Sequence, residues 1–185
     1  ERPQLLYTGV DFSQPLLGFA GNYDTNEAVF LQGDLTQTDW VEHIPQQDYN
    51  YVFAFAVLHH IPGHTLRLQI LQQVRQLLAP GGFFLHSEWQ FLNSARLRAR
   101  LQPWERIGLS AMQVEAGDYL LDWRHGGTGL RYVHHFDLAE LEQLAPPPVP
   151  DAQNFAMTPL LAPLFDFLPG TQTQRDTNAN AQARL

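Results

Sequence analysis

The run Asp48-Tyr49-Asn50-Tyr51-Val52-Phe53-Ala54-Phe55-Ala56-Val57-Leu58-His59-His60 decides the fold. From Tyr49 to Val57 it is almost wholly apolar and aromatic, the pattern of a parallel strand covered on both faces. A helix is expected next: Leu66, Ile70, Leu71, Val74 and Leu77-Leu78 form one stripe between Thr65 and Leu78, and Ala79-Pro80-Gly81-Gly82 stops it. Phe83 to Trp89 follows as a further strand. Upstream the same rhythm recurs. Leu5 to Val10 is a short buried strand ending at Asp11, Ser13 and Pro15 open a helix as N-cap and first-turn residue, and Ala28 to Gln32 is a strand closed by Gly33-Asp34. This alternation, with polar or acidic residues at the carboxyl end of each strand, predicts an α/β fold with a doubly wound sheet.

Downstream the rhythm changes. Phe91 to Ile107 is expected to be helical and Arg-rich, and Tyr119-Leu120-Leu121 and Arg131 to Phe136 to be short strands of an insertion spanning about 91–136. Asp137 to Leu144 is expected to be a helix with Asp137 as N-cap and Glu140 completing a capping box. Pro146-Pro147-Pro148-Val149-Pro150 ends the pattern, so 1–145 forms one partial domain. Residues 146–185 are a Pro-rich break and a tail expected to be disordered, with one apolar patch from Leu160 to Leu168.

Composition bounds the function. At 44% hydrophobic and 16% charged residues, the 185-residue chain is too apolar to be a disordered tail. The absence of Cys excludes disulfide scaffolds, thiolate zinc sites and Cys nucleophiles, leaving His and carboxylates as metal ligands. No apolar run approaches the ~18 residues that span a bilayer, and no basic-flanked apolar leader opens the chain, so a soluble, cytoplasmic protein without a membrane partner is expected. A net charge of −8 argues against a polyanionic partner. Yet all eleven basic residues are Arg, and six of them, Arg96, Arg98, Arg100, Arg106, Arg124 and Arg131, fall between positions 96 and 131. That stretch is either a solvated face or a phosphate-contacting one.

In open parallel sheets ligands bind across the carboxyl ends of strands, here Asp11, Asp34 and the run from Ala56 to His60. One carboxylate can accept both hydroxyls of a ribose and another an exocyclic amine, which is a layout for a nucleoside; the alternative is two turn residues. His59-His60 could be a metal pair, but adjacent histidines point differently and no carboxylate at metal-ligand spacing accompanies them, so no metal is expected. His134-His135 sits on an expected strand, where neighbours face opposite sides and one at most can line a site.

Thr8-Gly9-Val10-Asp11-Phe12-Ser13, Gln32-Gly33-Asp34-Leu35, Asp48-Tyr49 through Ile61-Pro62, and Leu78 through Phe83 resemble successive motifs of the class I S-adenosylmethionine-dependent methyltransferases. Gly117 through Arg124, Arg131 through Phe136 and Glu140-Leu141 are similar to the insertion of the tRNA methyltransferases that esterify 5-carboxymethyluridine at the wobble position, a subgroup that the paired His59-His60 also fits. The resemblance implies a Rossmann-like fold and S-adenosylmethionine as cofactor. Asp11 would hold its ribose hydroxyls and Asp34 its adenine amine, with Leu35 beside the ring and Ala56-Val57 under the methionine portion. His60, Trp123, Arg124 and Arg131 would face the substrate base, Trp123 having a place in the core as its alternative. The implied partners are tRNA and a small activator subunit. A carboxylate is ionised at neutral pH, so ester formation needs alignment more than a base, and an Arg can hold the carboxylate by paired hydrogen bonds. A methyltransferase for a small metabolite, a non-catalytic methyltransferase-like subunit and a Rossmann dehydrogenase are the alternatives.

Two departures from the family pattern are visible. No glycine-rich first motif precedes the strand at Leu5, and the chain opens on Glu1, which points to an N-terminally truncated fragment lacking its central strand and expected to bind S-adenosylmethionine weakly or not at all on its own. No alternating apolar pair that would close the sheet follows Pro150.

Overall fold

In the computed structural model, residues 5–21, 28–45, 48–123 and 129–144 are described. They fall into two units, one within 1–46 and the other within 47–170. In the first, β1 (Tyr7–Asp11) and β2 (Ala28–Gln32) flank α1 (Gln14–Gly21). The strands pair in parallel from Tyr7↔Ala28 to Asp11↔Gln32, so their carboxyl ends are level. Ser13 does not cap α1 through its side chain. Its hydroxyl is buried with no hydrogen-bond partner among the described residues, while its carbonyl accepts the Leu17 amide at 3.1 Å.

In the second unit β3 (Tyr49–Phe55), α2 (His64–Leu77) and β4 (Leu78–Ser87) form the expected βαβ arrangement, with the strands parallel from Tyr51↔Phe83 to Phe55↔Ser87. The buried stripe of α2, Ile70, Leu71, Val74 and Leu77, repeats at helical spacing; each such side chain contributes roughly 1.5–3 kcal/mol on burial. The N-terminus of α2 has no cap of its own. The Glu115 carboxylate supplies one, accepting the His64 amide at 2.8 and 3.0 Å. The expected helix stop at Ala79 to Gly82 already runs as strand, because β4 leaves the helix directly at Leu78. A Cβ on Gly82 would lie 2.7 Å from the Tyr49 carbonyl oxygen, so only glycine lets the two strands approach there.

One face of this pair is less covered than its composition predicts. Phe84 is buried, whereas Tyr51, Phe53, Phe55, Phe83 and Leu85 are exposed along the opposite face, with the Tyr51 ring 5.8 Å from Phe83 and 6.2 Å from Phe53.

Beyond β4 the expected long helix at 91–107 is absent. The segment holds two single turns (91–93 and 104–107), α3 (Ala95–Arg98) and β5 (Leu101–Gln102). Ser94 caps α3 by accepting the Leu97 amide, and Pro103 cannot continue a helix, so sequence rich in helix formers is cut into short pieces. β6 (Asp118–Trp123) and β7 (Gly129–His134) form the expected insertion strands, antiparallel in the order β5-β6-β7. Phe91, Leu121 and Val133 form their core, with Trp89, Leu92, Leu97, Leu101 and Tyr119 packed against it. α4 (Leu138–Leu144) follows, and Asp137 accepts the Glu140 amide at 2.8 Å as its N-cap. The reciprocal half of the capping box is not formed, because the Glu140 carboxylate turns to His134 and Arg67 instead. Among the described residues no helix is long and apolar enough to cross a membrane. Arg124 and the tail beyond Leu144 lie outside the described residues, as does the side chain of Trp123.

Candidate functional site

The first unit places Asp11 and Asp34 at one end of its parallel pair, where Gly33 donates its amide to the Asp11 carbonyl at 3.1 Å. Both side chains form turns. Asp11 Oδ1 accepts the Ser13 amide at 2.8 Å, and Asp34 Oδ1 accepts the Thr36 amide at 2.9 Å and its hydroxyl at 2.7 Å. Among the described residues each contact uses Oδ1 alone, which leaves Oδ2 for a ligand donor while the turn fixes the carboxylate's direction. The turn and ligand readings of these residues are therefore compatible. Leu35 follows Asp34 and is half-buried.

In the second unit β3 ends in a distorted turn. Ala56 has a φ of 56°, a left-handed conformation costing about 1–2 kcal/mol for a residue with a Cβ. Its amide is held by the Ser87 carbonyl at 3.0 Å and the Ser87 hydroxyl at 3.2 Å, which tie the turn to the end of β4. Val57 leads into the single turn Leu58–His60.

The two histidine rings of that turn meet edge to face with centroids 4.4 Å apart, but they make different hydrogen bonds. His59 is fully buried; its ring Nδ1 lies 2.7 Å from Glu88 Oε2, and its amide donates to the same oxygen at 3.0 Å. Glu88 Oε1 lies 3.0 Å from His86 Nδ1. Burial pushes the Glu88 carboxyl up, but the bonds from His59 and His86 outweigh it and hold the group below its ordinary value. The His59 Nε2 has no hydrogen-bond partner among the described residues.

His60 points its Nδ1 at the Tyr132 carbonyl of β7, 3.2 Å away. A carbonyl only accepts, so Nδ1 carries the proton and Nε2 presents a lone pair. Burial, together with neighbouring His59 and Arg131, pushes the His60 pKa down to about 3, so the ring is neutral at physiological pH. Trp89 completes the cluster. Its ring centroid is 5.6 Å from that of His60 in an edge-on arrangement, and the Arg131 guanidinium sits over it at 5.7 Å. Burial, with Arg100 nearby, lowers the Arg131 pKa to about 10, which still leaves the group cationic at neutral pH.

The structure thus brings together His60 and Arg131, two residues 71 positions apart in sequence. Trp123 is on β6 opposite Gly129. Glu88 and Trp89 were missed as site residues. The available signal was an acid and an aromatic directly after the last parallel strand, the position that singled out Asp11 and Asp34. Of His134 and His135, His134 is bonded on both ring nitrogens, by Asp118 at 2.6 Å and Glu140 at 2.8 Å, and is a structural residue.

Residues 1–84 match a family model described as a methyltransferase domain. The tRNA N(3)-cytidine methyltransferase METTL6 of Homo sapiens is 28% identical over 101 residues, which is 53% of this chain and 35% of that protein. Its counterpart in Pongo abelii is also 28% identical over 101 residues, covering 53% of this chain and 36% of that one. The chain therefore spans about a third of the curated relatives it matches. Among solved structures, a SAM-dependent methyltransferase from Methanosarcina mazei superposes with a TM-score of 0.54 at 20% identity, over 75% of this chain and 66% of that one. The PH0226 protein from Pyrococcus horikoshii OT3 superposes with a TM-score of 0.54 at 16% identity, over 76% and 60%. The fold is the Rossmann-like fold of the class I methyltransferases.

Proposed function

We propose that this protein transfers a methyl group from S-adenosylmethionine to a tRNA base, and that the acceptor is the carboxylate of 5-carboxymethyluridine at the wobble position. Support for methyl transfer comes from the methyltransferase-domain match over 1–84 and from the fold. Asp11 and Asp34 fit the nucleoside of the cofactor because each has an unengaged carboxylate oxygen at the carboxyl end of a parallel strand, and Leu35 lies beside Asp34. When bound, the cofactor supplies an electrophilic methyl group.

The observation that carries the acceptor is the cluster of His60, Trp89 and Arg131. A carboxylate is already ionised at neutral pH and needs no base. A neutral His60 and a cationic Arg131 suit that acceptor: Arg131 pairs with the carboxylate, and Trp89 and His60 offer flat surfaces to a base. The second reading, methylation of cytidine N3, is favoured by the likeness to METTL6. That acceptor gains positive charge during the reaction, which a cation beside it opposes.

The test is methyl transfer from labelled S-adenosylmethionine, by a full-length version of the protein, to tRNA lacking wobble modifications, set against a metabolite extract. The expected product is labelled tRNA whose label leaves as methanol under mild base, as an ester requires. Base-stable label in cytidine selects the second reading, label only in metabolites refutes tRNA as substrate, and no transfer refutes the enzyme. In a full-length version of the protein, the change Asp11→Ala is expected to abolish cofactor binding in a calorimetric titration.

A further inference from the structure

Arg67 lies in the first turn of α2 with its side chain 0% exposed, where its charge needs close partners; Nε has none among the described residues, so the two terminal nitrogens make the contacts. Its two terminal nitrogens divide the work. One reaches the Ile61 carbonyl at 3.0 Å and the Tyr132 hydroxyl at 3.3 Å. The other reaches Glu115 at 2.8 Å and Glu140 at 3.3 Å, and the guanidinium carbon sits 5.4 Å from the centre of the Phe136 ring. Tyr132 in turn donates its hydroxyl to Asp118 at 2.6 Å.

Two of those partners matter because of what precedes them. Ile61 follows His60, and Tyr132 follows Arg131. A single guanidinium nitrogen therefore meets the residue directly after each of the two assigned to the acceptor, the Ile61 carbonyl in one case and the Tyr132 hydroxyl in the other. The bond from His60 Nδ1 to the Tyr132 carbonyl closes the circuit, so the turn at Leu58–His60, α2 and β7 are locked by three contacts. Glu115 and Glu140 balance the buried cation and bring in the loop before β6 and the start of α4. The trio of Glu115, Asp118 and His134 is close enough to hold a metal ion, but Glu115 is engaged by Arg67 and Asp118 by His134 and Tyr132, so it acts as an ion-pair network.

We infer that Arg67 is a positioning residue that sets the separation and orientation of His60 and Arg131, an inference that rests on the reading of those two as acceptor-facing groups. Lysine cannot replace it. A point charge can pair with the glutamates, but it lacks the planar fork that reaches two carboxylates and two chain segments at once.

The test compares Arg67→Lys and Tyr132→Phe with the wild type by ¹⁵N imidazole spectra of ¹⁵N-histidine-labelled protein, with the His60 signal assigned from a His60→Asn spectrum. Tyr132→Phe keeps the carbonyl that holds His60 and removes the hydroxyl that meets Arg67 and Asp118, so a fold that survives poorly in the first variant is still tested by the second. In the wild type His60 is expected as the single Nδ1–H form at pH 7. In either variant that folds, the Nε2–H form is expected to appear and the ring to titrate closer to the ordinary range, with His59, Arg131 and Glu88 as the titratable neighbours in all cases. An unchanged His60 signal in both variants overturns the inference.

The second arm is transfer to tRNA. Arg67→Lys is expected to lower kcat/KM by roughly 10- to 100-fold through acceptor KM, the scale of a displaced positioning group, with cofactor Kd within about twofold. A loss confined to cofactor affinity also overturns the inference. The spectra need no substrate, so a wild-type protein that methylates no tRNA refutes the proposed function while the His60 signal still decides the role of Arg67.

Discussion

Replacing Glu88 with glutamine removes one charge from the most enclosed carboxylate among the described residues of the second unit and leaves its shape almost unchanged. The side chain is 3% exposed and accepts three hydrogen bonds, from the His59 ring at 2.7 Å, the His59 amide at 3.0 Å and the His86 ring at 3.0 Å. Hydrogen bonds to a charged group contribute about 1.5–3 kcal/mol each. Glutamine keeps one acceptor oxygen and turns the other into a donor, so one ring must change tautomer and the surviving bonds become neutral ones. The expected loss is about 2–4 kcal/mol, or a fall in Tm of roughly 4–16 °C at about 2–4 °C per kcal/mol for a chain of this size. The sign with pH follows from the direction of the shift. A carboxyl held below its ordinary value contributes stability above its unfolded pKa, near 4.5, and loses it as pH falls through the folded value. Melts of wild type and Glu88→Gln followed by far-UV circular dichroism should therefore differ by a constant amount from pH 8 to pH 6 and converge as pH drops below 4. A Tm loss under about 2 °C at pH 7, or a difference undiminished at the lowest pH where the wild type folds, refutes the assignment of a charged Glu88 as the clamp on His59.

Three further outcomes are expected. Arg131→Ala should raise acceptor KM at least roughly tenfold, the scale of a lost charged hydrogen bond, while calorimetry shows cofactor Kd unchanged; lost cofactor affinity would contradict its place beside the acceptor. Burial opposes the charge of His134, but its bonds to Asp118 and Glu140 raise its pKa, so its stabilisation is full below about 6.5 and lost as pH rises through the folded value. Urea titrations should find His134→Gln more destabilised relative to wild type at pH 6 than at pH 9. Gly117 has a φ of 91°, and a Cβ there would lie 2.9 Å from the His134 ring and 3.0 Å from the His135 carbonyl, so Gly117→Ala should cost about 2–4 kcal/mol by the same titration.

The βαβ units were legible because a period of apolar residues survives whatever surrounds it. α2 announced its buried face through Ile70, Leu71, Val74 and Leu77, and β6 and β7 their existence through short apolar runs. Misread elements share one cause, which is that a side chain can serve a distant partner in place of its local one. Glu140 stood at capping-box spacing, yet its carboxylate was drawn to His134 and Arg67. The stretch 91–107 was full of good helix formers, but packing against Leu121 and Val133 selected short turns that Ser94 and Pro103 permit. His60 and Arg131 are singled out by family likeness alone, whereas the position of Glu88 after the last parallel strand does not show its partner, because His59 lies 29 residues away.

Among the described residues nothing covers the ring ladder of β3 and β4, and this sets an expectation for how the protein behaves in bulk solution. Tyr51, Phe53, Phe55, Phe83 and Leu85 present a continuous apolar surface, which is a colloidal liability whatever its role in the cell. The force that keeps molecules apart is their common net charge of −8. Its reach shrinks from about 30 Å at 0.01 M salt to about 8 Å at physiological ionic strength, whereas attraction between apolar faces is not screened. Added salt, often used to keep proteins dispersed, therefore acts here in the opposite direction, and dilute buffer is the condition that favours separate molecules.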